Sequence, residues 1–243
     1  MKRIPQVKMM GEKAILVEFE PEINEELLRH LLILKNFLHK KLIKEEVEVI
    51  NTYNSLLISY AFTIEDPYGA VSEVEQLLSE ANVQNKIQNH IFRIPVCYTK
   101  DFALDLDHIS QVKKLSKKAI IELHSAPVYT VYFSGFLPGF LYLGGLDKKL
   151  QISRRDQPRL EVQKGAVGIG EKQTGIYPQK SPGGWQIIGN SPVPLFDQNS
   201  DPPCEISAGD KIKFYPVDLR EHQRISEAVA RGEFQFQKEI YEG

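Results

Sequence analysis

The chain has 243 residues, 42% hydrophobic and 26% charged, with a formal net charge of -2 and a pI near 6.3. These values describe a soluble globular protein, long enough for one large domain or two small ones, and exclude a disordered chain or a strongly basic nucleic-acid binder. Apolar runs such as LLILKNFL (31–38) are broken by charge or amide and cannot span a bilayer, and MKRIPQVKMMGEK lacks the apolar core of a signal peptide.

Glycine divides the chain unevenly. Residues 1–90 hold only Gly11 and Gly69, whereas eleven of the sixteen glycines fall between Gly135 and Gly189. Two domains are expected, 1–88 and 89–243. In the first half of the chain, AILVEFE (14–20) is strand-like. EINEELLRHLLILKNFLHKKL (22–42) places apolar residues at 23, 27, 31, 34 and 38, a helical spacing. VEVINTY (47–53) and LLISYAF (56–62), split by Asn54-Ser55, suggest a hairpin. Asp66-Pro67 is a capping and first-turn pair that opens a helix to about Asn82. HIFRIPVCY (90–98) reads as a strand. The order β, α, β, β, α, β fits an α+β sandwich of the ferredoxin-like type.

Beyond Cys97 the pattern changes. Asp107 and Ser116 each suit a short helix start, the second helix ending near His124. Short strands then follow between turn residues: VYTVYF (128–133), LEVQKGAVGIG (160–170), TGIYP (174–178), GWQIIG (184–189) and DKIKFYPV (210–217). They argue a mainly-β barrel or sandwich. Ile225 and Val229 suggest a closing helix in the charged tail.

GAVGIGEKQTG (165–175) tempts a phosphate-loop reading, but it has no Gly-Lys-Ser/Thr and strand-like segments follow it. Both standard nucleotide loops are rejected, and Gly168 and Gly170 read as barrel bends or bulges. SPGGW (181–185) holds the only tryptophan, Trp185, on rigid turn chemistry. It is either a hairpin with Trp185 in the core or the frame of a pocket. Gln173, Tyr177, Ser181 and Gln186 are neutral hydrogen-bonding groups clustered there, suited to an amide or carboxylate ligand. FSGFLPGFLYLGGL (133–146) is either a core-crossing loop or an apolar contact surface. Arg154, Arg155 and Arg159 form either a solvated edge or a clamp for carboxylate or phosphate. No metal-ligand spacing is present: the six histidines are scattered, and Cys97 and Cys204 lie 107 positions apart. A cytoplasmic location follows by default.

These motifs in order, GFLPGFLYLGGL, RR..PR, VGIG..QTGIYP, SPGGWQIIG, PLFD (194–197) and GD.I.F.PV (209–217), resemble the family of 5-oxoprolinase B subunits. That family includes the kinase inhibitor KipI and has been labelled allophanate hydrolase subunit 1. The resemblance covers most of 90–217. It departs at Ser153, where a proline commonly precedes the paired arginines, at Gln163-Lys164 and at Leu141.

The resemblance implies an N-terminal α+β domain followed by a mainly-β cyclophilin-like barrel. It implies ATP-dependent opening of 5-oxo-L-proline to L-glutamate, performed with the 5-oxoprolinase C subunit, the direct partner, and with the A subunit. ATP, with Mg2+, is then a co-substrate whose site is shared with a partner. A lactam is a stabilised amide and a poor electrophile, so phosphorylating its oxygen prepares it for water attack. On this reading Arg154, Arg155 and Arg159, with Tyr177, Ser181, Gly183 and Trp185, bind substrate or phosphate. Gln173 and Gln186 hold the lactam and His124 moves protons. Phe136, Leu137, Pro138 and Phe140 form the partner interface. The alternatives are a KipI-like inhibitor of a sensor histidine kinase and a carboxyltransferase or allophanate-hydrolase-type component. Neither nucleic acid nor membrane is an expected partner.

Overall fold

A computed structural model describes residues 4–43, 46–81 and 88–241. The chain divides into two compact units, Met1–Ile87 and Gln88–Gly243.

The first unit is a four-stranded antiparallel sheet with two helices. Its elements are β1 (Gln6–Met9), β2 (Ala14–Glu18), α1 (Glu25–Lys41), β3 (Val47–Asn51), β4 (Ser55–Tyr60) and α2 (Pro67–Glu80). The strand order is β1-β2-β4-β3. Asn24 caps α1 by accepting from Leu27 N at 2.7 Å, and Asp66 caps α2 by accepting from Gly69 N at 3.0 Å. The apolar stripe of α1 packs on the sheet through Leu27, Leu31, Leu34 and Leu38. Each such leucine contributes about 1.5–3 kcal/mol by leaving water. Ile23, expected on that stripe, lies before the cap and is exposed. The expected helix end at Asn82 lies outside the described residues.

One expectation is overturned. The strand at 90–98 does not close this sheet. The N-terminal strand β1 takes that edge instead, running antiparallel to β2 from Gln6–Glu18 to Met9–Ile15. Residues 89–97 form β5 of the second unit.

The second unit is a closed barrel. Along the chain come β5 (Asn89–Cys97), α3 (Leu106–Lys113), α4 (Lys117–Ser125), β6 (Tyr129–Ser134), β7 (Leu141–Gly144), β8 (Arg159–Val162), β9 (Ala166–Gly170) and β10 (Gln173–Ile176). Then follow β11 (Ser181–Gly183), β12 (Gln186–Asn190), β13 (Lys211–Val217), α5 (Leu219–Ala230) and β14 (Gln237–Tyr241). The barrel order is β12-β9-β10-β7-β6-β13-β5, and the Asn190–Cys97 pairing returns β5 to β12. All its pairings are antiparallel except β13 with β5, which run parallel from Lys211–Ile91 to Val217–Cys97. The fold class expected from the resemblance, an α+β unit and a mainly-β cyclophilin-like barrel, is the one observed.

Buried residues from β5, β6, β7, β9, β12 and β13 pack into one core cluster, among them Phe92, Ile94, Val131, Leu143, Val167, Ile169, Ile188 and Phe214. Ser116 caps α4 as expected, accepting from Ala119 N at 3.1 Å. The residue preceding α3 is Asp105 rather than Asp107, which pairs with Lys117. The tail helix α5 is present, but β14 follows it and pairs with β5.

Candidate functional site

Two segments far apart in the motif order lie against each other. Residues 153–159 form a strap over the turn that leads into β12. Arg155 N donates to Gly184 O at 2.7 Å, Gln186 Nε2 donates to Ser153 O at 3.2 Å, and Arg159 on β8 faces Gly183 on β11. The structure thus brings the Arg-rich and Trp-bearing motifs together.

A residue missed in the sequence organises them. Asp105, only 3% exposed, occupies the cap position of α3 but gives that helix no side-chain hydrogen bond. Its carboxylate turns to the strap instead. Oδ1 accepts from Arg155 Nη1 at 3.0 Å and from Arg159 Nη2 at 2.7 Å, while Oδ2 accepts from Ile187 N at 2.6 Å. The Asp105 N–H also donates to Ile187 O at 2.8 Å. A helix cap is worth about 1 kcal/mol. Giving it up for charge-assisted bonds to two guanidiniums fixes their positions more strongly.

Beneath the strap sits an aromatic cluster of Phe140, Tyr177 and Trp185, with Val162, Ala166 and Ile187. Phe140 meets Trp185 edge-on with ring centroids 5.3 Å apart, and Tyr177 edge-on at 5.2 Å. Trp185 is therefore core, only 4% exposed, with the Arg154 guanidinium 5.9 Å from its ring centroid. The glycines of the motif make room for these rings. A Cβ on Gly170 would stand 2.6 Å from Trp185 Nε1, and one on Gly183 would stand 2.4 Å from the Tyr177 hydroxyl. No helix follows Gly170, so the stretch 165–175 is a strand pair and not a phosphate loop. Burial raises the pKa of Tyr177, opposed by a hydrogen bond from the Trp185 backbone and by Arg154 and Arg159. Burial raises that of Tyr142 too, opposed by Arg154.

Three polar atoms around the strap are enclosed and have no hydrogen-bond partner: Arg155 Nε, Arg159 Nη1 and Gln186 Oε1. Ser181 is buried with its hydroxyl 3.1 Å from Pro182 O. Gln173 begins β10, opposite Gly170 on β9.

His124 lies elsewhere. It is fully buried in the barrel unit and stacks on Phe214 at 4.8 Å. Thr174 Oγ1 donates to Gly168 O, so it accepts from His124 Nε2 at 2.9 Å, and the Tyr98 hydroxyl donates to Nδ1 at 2.8 Å. Burial lowers its pKa to about 3, so the ring is neutral near pH 7. With both nitrogens engaged and no exposure, His124 has the setting of a structural residue rather than of a proton-transfer group.

The expected interface also divides. The turn from β6 to β7 closes with Gly135 N donating to Phe140 O at 3.1 Å. Phe140 points inward and is 2% exposed, so it is a core residue and not an interface residue. Leu137 is half-buried against the same cluster. Phe136 stays outside, 62% exposed, at a left-handed φ of 69° that a bulky residue rarely adopts, with Pro138 exposed beside it.

Among the described residues no group of three or more His, Cys, Asp or Glu side chains is placed to hold a metal ion. Among them, too, no helix is long and apolar enough to cross a membrane.

The barrel is closed and mixed, the buried Asp105 pairs with Arg155 and Arg159 beside an aromatic cluster, and residues 165–175 form a strand pair. Residues 5–206 match the model of the carboxyltransferase domain, subdomain C and D. The B subunit of 5-oxoprolinase from Bacillus subtilis (strain 168) is 32% identical over 232 residues, 91% of this chain and 97% of that one. The B subunit of 5-oxoprolinase from Haemophilus influenzae is 39% identical over 205 residues, 84% of this chain and 94% of that one. Among solved structures, the Kluyveromyces lactis urea carboxylase aligns over 98% of this chain and 24% of its own, with a TM-score of 0.80 at 21% identity, a likeness of fold. The chain belongs to this carboxyltransferase-domain family, in the group whose curated members are named as 5-oxoprolinase B subunits.

Proposed function

We propose that the chain is the B subunit of an ATP-dependent 5-oxoprolinase, opening 5-oxo-L-proline to L-glutamate in the cytoplasm together with the A and C subunits. The observation that carries this reading is the Asp105–Arg155–Arg159 cluster, a fixed cationic group with unmatched hydrogen-bonding atoms, in a chain similar along most of its length to 5-oxoprolinase B subunits. The cluster can hold and orient a small polar ligand. It lacks the rest of a catalytic set. Gly168, Gly170 and Gly175 lie against Trp185 and Gly165 against Ser191, which leaves this chain without a phosphate cradle at that place. ATP and its Mg2+ are therefore assigned to a site completed by a partner. The exposed Phe136 and Pro138 at the β6–β7 turn form the contact with the C subunit, because an aromatic ring held at a strained backbone angle in water is best explained by a partner that covers it.

The test is reconstitution with one component omitted at a time. Glutamate release from 5-oxoproline and ATP should require this chain and the A and C subunits together. Full activity from this chain alone, or from the other two without it, contradicts the reading. The same exposed Phe136 surface also suits a KipI-like inhibitor docking on a sensor histidine kinase. Inhibition of kinase autophosphorylation by this chain, with an inactive trio, decides for that reading.

A further inference from the structure

The proposed function leaves the ligand of the Asp105 cluster undefined, and three observations define it. First, the charges do not balance. Two guanidiniums, 36% and 21% exposed in their side chains, share one carboxylate, so the cluster carries one positive charge in excess. Charges withdrawn from water are normally paired. Second, each guanidinium keeps an enclosed N–H without an acceptor, Arg155 Nε and Arg159 Nη1. Third, Gln186 is 4% exposed, and its amide orientation is set by Ser153 O, which can only accept. Nε2 must face that carbonyl, which leaves Oε1 as an enclosed acceptor without a donor.

We infer that this cluster binds a planar carboxylate borne next to an N–H: the carboxylate takes the free N–H groups of Arg155 and Arg159, and the ligand N–H donates to Gln186 Oε1. A cyclic amide with a carboxylate on the carbon beside its nitrogen, as in 5-oxoproline, has this arrangement. The assignment deepens the proposed function and rests on it. It also reassigns the arginines. A phosphate ester offers acceptors alone at neutral pH and leaves Gln186 Oε1 unmatched, whereas a carboxylate supplies the single missing negative charge. The three atoms are enclosed in the free protein, so binding includes a small lift of the strap, whose Arg154 rests on the Trp185 ring. Asp105 does not touch the ligand. It is a positioning residue that holds both guanidiniums to one oxygen.

The experiment is calorimetric titration of this chain in complex with the C subunit. Three probes are compared: 5-oxoproline, pyrrolidin-2-one, which keeps the lactam N–H but lacks the carboxylate, and the lactone acid, which keeps the carboxylate but has a ring oxygen for the N–H. Each analogue should bind at least about tenfold more weakly than 5-oxoproline, since each leaves an enclosed group unmatched. Gln186→Leu should erase the difference between lactam and lactone acids, and Arg159→Lys should weaken 5-oxoproline but not pyrrolidin-2-one. Equal affinity for pyrrolidin-2-one and 5-oxoproline overturns the carboxylate assignment, and equal affinity for the lactone acid overturns the Gln186 assignment. Inorganic phosphate displacing 5-oxoproline with tighter binding overturns both in favour of a phosphate site. The analogue series on the wild-type complex decides by itself if a variant fails to fold. Glutamate release with no discrimination among the probes sinks this inference and leaves the proposed function standing. No glutamate release and no binding of any probe sinks both.

Discussion

Arg159 Nη2 lies 2.7 Å from Asp105 Oδ1, across 54 positions of sequence, and ties β8 to the start of α3. Asp105→Asn would leave two neighbouring guanidiniums without their counter-charge and turn an amide N–H2 toward a donor. A hydrogen bond to a charged group is worth about 1.5–3 kcal/mol, and the partial exposure of both arginines keeps the loss near that range. The barrel unit of Asp105→Asn should unfold at a lower urea concentration, followed by the emission of Trp185, the only tryptophan. An unchanged midpoint contradicts the pinning role.

His124 gives a pH dependence of definite sign. Its folded pKa, about 3, lies below the ordinary 6.5, so between these values the unfolded chain binds the additional proton. Its contribution to stability is complete above pH 6.5 and is lost as pH falls toward 3, by up to about 1.4 kcal/mol per pH unit. His124→Gln, which cannot titrate, should be less stable at pH 7 and lose stability more slowly between pH 6.5 and 5. A parallel pH profile for the two proteins contradicts the structural role, and so does loss from kcat/KM of a near-neutral limb present in wild type.

Gly170→Ala places a methyl against the indole of Trp185. Overpacking of this kind costs about 1–3 kcal/mol. The ring should shift outward and its emission maximum move to longer wavelength. An unshifted spectrum with unchanged stability means that the glycine is not there to accommodate the ring.

Phe136 and Phe140 stand four positions apart and are expected to behave in opposite ways. Phe140→Ser removes a buried ring and should destabilise the barrel by about 3–5 kcal/mol. Phe136→Ser should leave the unfolding midpoint within error and weaken association with the C subunit about tenfold or more, measured by sedimentation or biolayer interferometry. Undiminished association for Phe136→Ser contradicts the interface assignment.

Much of the fold was legible because it is written in local chemistry. The α1 stripe, the Asn54-Ser55 hairpin and the Asp66-Pro67 helix start each follow from spacing or capping within a few residues. Strand partnership was not legible. Residues 89–97 have a strand composition that says nothing about which sheet they join, and β1 is too short to announce itself. The site was half legible. SRRDQPR and SPGGWQIIG were visible as unusual stretches, but their union depends on Asp105, which the pattern of DLD does not single out. Only its buried geometry, turned away from α3, separates it from Asp107. Phe136 and Phe140 looked alike in FSGFLPGF for the same reason: neither helical nor strand period governs that turn.

The most direct measurement is the pair of Michaelis constants for Arg155→Lys in the reconstituted complex of this chain with the A and C subunits. Lysine keeps the charge but loses the planar fork of N–H groups. KM for 5-oxoproline should rise about tenfold to a hundredfold, corresponding to roughly 1.4–2.7 kcal/mol, with KM for ATP unchanged and the protein folded. A rise in KM for ATP with that for 5-oxoproline unaltered, or wild-type values for both, would contradict the assignment of this cluster to the substrate.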